Sequence, residues 1–227
     1  MRGMKLAALA VLAAGCAPVG FYQSAFPAEN RFYFGMGGEA MRNYAGMEDD
    51  TSDTSAPPMV AGGARFPFSF SPIPILTFTP EIYNNGIAFG AKGTLFCNER
   101  VAGALIAVAF LGGGDETDPW DNTTIASTGL SGVEAGAVGS WRPSPSFTMS
   151  AGPKAIFGHE EYHNYESGRH YSGNALDLGG FTGLSIGTGR WSFDLDFSLL
   201  SVERPQMGKR QLLPFGGLVA KVGWGRF

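Results

Sequence analysis

Trp191-Ser192-Phe193-Asp194-Leu195-Asp196-Phe197-Ser198-Leu199 alternates strictly between large apolar residues and small or acidic ones. In an extended chain successive side chains point to opposite faces, so Trp191, Phe193, Leu195, Phe197 and Leu199 share one side. Ser192, Asp194, Asp196 and Ser198 share the other. A helix would scatter the two aspartates around its surface, whereas a strand collects them. The stretch therefore reads as a β-strand with one apolar and one polar face.

Weaker period-two alternation covers 31–45, 59–70, 75–84, 87–97, 101–111, 128–141, 147–158, 174–186 and 213–225. With the first stretch this makes about ten segments, each near the nine to eleven residues that a tilted membrane strand requires. The connections alternate in length. Those at 47–58, 112–124, 159–172 and 203–212 are long, and those at 71–74, 98–100, 142–146 and 187–190 are short. Membrane barrels have this asymmetry, with short turns on one side and longer loops on the other. Asn84-Asn85-Gly86 breaks it, being short where a long loop is expected.

Composition agrees with a membrane barrel. The 227 residues include 34 Gly and 18 Phe, and only 16% are charged. Mean hydropathy is +0.01, yet no run is apolar over the roughly eighteen residues a membrane helix needs. Apolar content is spread in short pieces, as in strands of which one face meets lipid. The net charge of -4, with no basic block, argues against a nucleic-acid partner. The predicted fold is an all-β, antiparallel up-and-down transmembrane β-barrel of about ten strands, with about eight as the alternative. Pro67, Pro80 and Pro153 fall inside proposed strands of a sheet without free edges, which calls for bulges or for fewer strands.

Both ends of the chain carry resemblances. Arg2 and Lys5 precede an apolar run over 6–14, too short to span a bilayer, and Ala13-Ala14-Gly15-Cys16 follows. This resembles the bacterial lipobox, although Ala13 stands where Leu is usual. The resemblance implies lipidation of Cys16, and Ala17 after it implies sorting to the outer membrane. A plain secretory signal cut nearby is the alternative. Terminal Phe227 resembles the carboxy-terminal signal by which barrel-assembly machinery recognises a last strand, although its parity differs from that of Leu218, Ala220, Val222 and Trp224. A bulge near Gly225 would realign it. Taken together, the chain resembles small bacterial outer-membrane β-barrel proteins with a lipoprotein-type signal peptide. The expected organisation is a signal peptide over 1–15, a periplasmic tether over 16–30 and the barrel over 31–227, with both termini periplasmic.

With the apolar parity outward, Glu39, Glu81, Glu134, Asp177, Asp194 and Asp196 fall inward with Arg65, Lys92, Lys154 and Lys221. Lone buried charges are costly, so these are expected to pair across the lumen. A barrel of this size is expected to be filled by side chains rather than open, and a narrow pore for small cations or solutes is the alternative.

His159-Glu160-Glu161-Tyr162-His163 matches the H-E-x-x-H pattern of zinc proteases, with His170 close behind. That chemistry needs a helix, which places both histidines on one metal and lets the glutamate act as base. The pattern here follows a strand and reads as a polar external loop. Metal binding by His159, His163, His170 and Glu160, or a hydrolase built on them, stays as an alternative. Acidic loops at Glu48, Asp49, Asp50 and Asp53, and at Asp115, Glu116, Asp118 and Asp121, lack the spacing of a calcium loop. Asp194-x-Asp196 has no nearby His or Ser to complete a hydrolase set. The glycines at 183, 187 and 189 lack the Lys-Ser/Thr ending of a phosphate loop. The leading expectation is a non-enzymatic barrel without a cofactor. It would present external loops to envelope components or partners and contact outer-membrane lipid, lipopolysaccharide and the assembly machinery.

Overall fold

The computed structural model describes residues 24–42, 60–83, 86–117, 124–165, 168–188, 190–202 and 211–227. Ten strands follow one another: β1 (Asn30–Arg42), β2 (Val60–Ile73), β3 (Leu76–Tyr83), β4 (Gly86–Cys97), β5 (Val101–Thr117), β6 (Thr124–Ser144), β7 (Phe147–Asn164), β8 (Arg169–Thr188), β9 (Trp191–Val202) and β10 (Gln211–Arg226). Each pairs antiparallel with its chain neighbour, and β1 closes on β10, from Asn30↔Arg226 to Met41↔Phe215. The result is a closed, ten-stranded, up-and-down barrel. The eight-strand alternative does not hold.

Side-chain parity follows the alternation. In β9, Trp191, Phe193, Leu195, Phe197 and Leu199 are exposed on the outside, while Asp194, Asp196 and Ser198 are buried. The outer apolar belt runs from Met149 to Phe157 on β7 and from Ile186 to Leu176 on β8, close to the nine to eleven residues of about one bilayer crossing. Aromatic rings stack across strands on this face: Phe32 with Trp224 at 5.9 Å, Phe70 with Phe78 at 5.2 Å and Phe78 with Phe89 at 6.0 Å. Such spacings add to the stabilisation from area alone.

The prolines sit where pairing is interrupted on one side. β1–β2 pairing skips from Phe34↔Phe68 to Gly37↔Arg65, passing over Pro67, which still pairs with Glu81 of β3. β2–β3 pairing passes over Pro80, which pairs with Phe89 of β4. β6–β7 pairing passes over Pro153, which pairs with Gly180 of β8. A residue without an N–H is placed where only one neighbour is bonded, so no edge strand is needed.

Two sequence-based boundaries change. The connections expected at 112–124 and 159–172 are largely strand, because β5 and β6 run to Thr117 and from Thr124, and β7 and β8 run to Asn164 and from Arg169. Their pairing continues, as Glu116↔Ala126 and His163↔His170, well past the apolar belt. The barrel thus has a turn end, which also holds both chain ends of the described barrel, and a hairpin end that projects further.

Gly225 has a φ of +71°, and the β1–β10 register skips it between Trp224 and Arg226. This left-handed residue is open to glycine and lets the last residues change direction. Phe227 lies half-exposed beside Arg31, whose guanidinium is 5.4 Å from its ring centre.

Candidate functional site

The interior is layered from the turn end to the hairpin end. Hydroxyls dominate the first layer, where Ser71 Oγ meets Thr77 Oγ1 at 2.9 Å and Ser140 Oγ meets Ser150 Oγ at 2.5 Å. Charged residues follow. Arg65 donates from Nε to Glu81 Oε1 at 2.5 Å and from Nη2 to Glu81 Oε2 at 3.0 Å. Lys154 Nζ lies 3.6 Å from Glu134 Oε2, and nearer the turn end, level with the hydroxyls, Lys221 Nζ lies 2.5 Å from Asp194 Oδ2. Asp194 Oδ1 also accepts from Ser185 Oγ at 2.5 Å. Phe181 and Ile156 are buried among the charged residues, and toward the hairpin end Tyr83, Phe110, Leu200, Val202 and Phe215 are buried. Among the described residues, apolar side chains therefore make up most of the buried groups in that half, beside Asp177.

Gly217 leaves room for the charged layer. A Cβ there would stand 2.6 Å from Asp196 Oδ1 and 3.3 Å from Arg65 Nη1, so the carboxylate and guanidinium meet over a residue without a side chain. Asp177 is also buried, and Glu39 occupies the β1 position opposite Gly63 and Gly217.

Lys92 departs from the expected ion pairing. Its ammonium donates to the carbonyl oxygens of Ser24 at 2.9 Å and Phe26 at 2.8 Å. Thr94 Oγ1 donates to Ala25 O at 2.9 Å, Ala25 N to Ser140 Oγ at 2.8 Å and Ala28 N to Pro74 O at 2.8 Å. Ala25 and Phe26 are buried, and the Arg142 guanidinium stands 4.0 Å from the Phe26 ring centre. Residues 24–29, within the stretch expected to be a free tether, are thus seated in the mouth at the turn end. Nothing in the sequence marked this segment. A peptide held by its backbone carbonyls needs no side-chain periodicity.

The histidine motif lies on β7 and β8 rather than on a helix or in a loop. His159 and His163 share the outer face, but four strand steps separate them by about 13 Å, and Glu160 belongs to the opposite parity. Zinc-protease geometry is therefore absent. His163 and His170 face each other at 5.5 Å between ring centres, and Tyr165 stacks on His163 at 4.3 Å. Among the described residues no set of three or more His, Cys, Asp or Glu side chains is arranged to hold a metal ion. His159 lies just beyond the apolar belt, with Nδ1 2.9 Å from Asn174 Oδ1 and Nε2 3.4 Å from Glu161 Oε1. The bond to Asn174, helped by Glu161, holds its imidazole above the usual histidine value.

Cys16 and the acidic stretch at 48–53 lie outside the described residues, as do Asp118 and Asp121. Asp115 and Glu116 fall on β5 rather than in a loop. Cys97 is free and exposed at the turn end.

No family model matches the chain, and no curated protein matches it in sequence. Solved structures similar to it include Ail, the attachment invasion locus protein of Yersinia pestis, at 12% identity and a TM-score of 0.45, covering 88% of this chain and 100% of that one. Neisserial surface protein A is similar at 13% identity and a TM-score of 0.39, over 84% of this chain and 94% of its own. The outer membrane protease OmpT of Escherichia coli is similar at 9% identity and a TM-score of 0.43, over 88% and 97%.

Proposed function

We propose that the chain is a bacterial outer-membrane barrel with a sealed lumen, which acts through the surfaces it presents rather than by conduction or catalysis. The observation that carries this reading is the filled interior. Ion pairs cross its middle, buried apolar side chains lie toward the hairpin end, and residues 24–29 occupy the opposite mouth. The outer apolar belt supports a lipid setting, because an Arg or Lys at the midplane of that face would cost roughly 2–4 kcal/mol. In this orientation the turn end faces the periplasm and the β5–β6 and β7–β8 hairpins face out, toward lipopolysaccharide and external partners. Phe227, at the periplasmic end, is the residue offered to barrel-assembly machinery.

Lipidation of Cys16 is compatible with the seated segment. Seven residues lie between Cys16 and Ser24, and the eight extended steps across them reach at most about 28 Å. That is enough to turn over the rim toward the inner leaflet.

Single-cysteine labelling in intact cells tests the orientation. In a Cys97→Ser background, with any reaction at Cys16 subtracted by labelling that background alone, Ser172→Cys at the hairpin end is expected to react with a membrane-impermeant maleimide. Glu99→Cys at the turn end is expected to react only after the outer membrane is opened. The reverse pattern would overturn the orientation, and labelling of both in intact cells would overturn the membrane setting.

A further inference from the structure

A cavity of about 150 Å³ lies at the turn end, between the seated segment and the walls of the barrel. Four cationic side chains line it, Lys92, Arg142, Arg190 and Lys221, against two carboxylates, Glu29 and Asp194. The two carboxylates are committed. Asp194 is held by Lys221 and Ser185, and the largely exposed Glu29 lies 3.4 Å from Arg142. Lys92 is buried and bonded only to neutral carbonyl oxygens among the described residues. Arg190, from the β8–β9 turn, has no carboxylate partner among them. Buried or crowded like charges are unfavourable unless a counter-charge sits among them. The walls add hydroxyl groups from Ser69, Thr77, Thr148 and Ser192.

We propose that this chamber binds a phosphate-sized tetrahedral oxyanion, free or as the headgroup of a phospholipid. The two surplus cations approach from different sides, Lys92 on β4 and Arg190 at the rim, with the Lys221–Asp194 pair between β10 and β9 completing the lining. A phosphate or sulfate group, of a few tens of Å³, fits the cavity with room for water. Guanidinium and ammonium groups give such an anion charge-assisted hydrogen bonds. The anion would also hold residues 24–29 in place, because Lys92 contacts both the segment and the chamber.

Calorimetric titration of the purified full chain in non-ionic, phosphate-free detergent tests the site, with inorganic phosphate in one arm and glycerophosphoglycerol in the other. Saturable binding at one site per chain is expected, weakened at least tenfold by Arg190→Gln and by Lys92→Met, and restored by Arg190→Lys. Arg190 lies at an exposed turn, so its substitution keeps the test decisive if Lys92→Met fails to fold. Tighter binding of glycerophosphoglycerol assigns the site to a lipid headgroup, and equal or weaker binding assigns it to the free anion. Absence of saturable binding in both arms, or binding that neither substitution changes, would overturn the proposal.

Discussion

Arg65 grips Glu81 through two parallel hydrogen bonds inside the barrel, joining β2 to β3 where both side chains are nearly inaccessible. Removing one partner of such a buried pair leaves an uncompensated charge, typically at a cost of about 3–5 kcal/mol. Glu81→Ala is therefore expected to lower the unfolding free energy by about that much in urea titrations of protein refolded into vesicles. The double substitution Arg65→Met with Glu81→Leu is expected to recover most of the loss. Equal instability of the single and double variants would show that the pair itself is not what the site requires.

The outer face should tolerate charge far less than the inner one. Leu195→Arg places a cation at mid-belt on β9, next to the inward Asp194 and Asp196. A loss of roughly 2–4 kcal/mol is expected in the same refolding measurement. An unchanged midpoint would mean that this face does not meet lipid.

The seated segment should be readable by hydrogen exchange. The amides of Ala25 and Ala28 donate to Ser140 Oγ and Pro74 O, and Lys92 holds the carbonyls of Ser24 and Phe26. Both amides are expected to be protected in the native protein and to exchange at least tenfold faster in Lys92→Met. Fast exchange in the native protein would place the segment outside the mouth.

His159 titrates at the outer surface. The Asn174 bond raises its value above the usual histidine value of about 6.5. Because the folded value is the higher, the protonated form is favoured on folding. Its contribution is complete below the unfolded value and fades as pH rises through the folded one. Nuclear magnetic resonance of the ring protons is expected to give a midpoint above 6.5, lowered by Asn174→Ala. A midpoint unmoved by that substitution would separate the shift from the hydrogen bond.

How far the sequence could be read depended on what each face of a strand meets. β9 is legible from Trp191 to Leu199 because its outside is apolar and its inside acidic or small. The extensions of β5 to β8 are not. Beyond the belt both faces of His159–Asn164 and of 113–117 are polar, so the period-two signal vanishes although the pairing continues. The lumen charges follow from parity, but their partners do not. Parity gives no means to foresee that Lys92 holds backbone carbonyls while Lys221 takes Asp194. Arg142 and Arg190 read as turn residues, and only the seated segment brings them to a chamber.

A sealed lumen is tested most directly by the conductance of the purified native chain in planar bilayers. No stepwise current is expected across ±100 mV, on the order of a natural membrane potential. Discrete cation-selective steps from the native protein would contradict a closed barrel and restore the narrow pore.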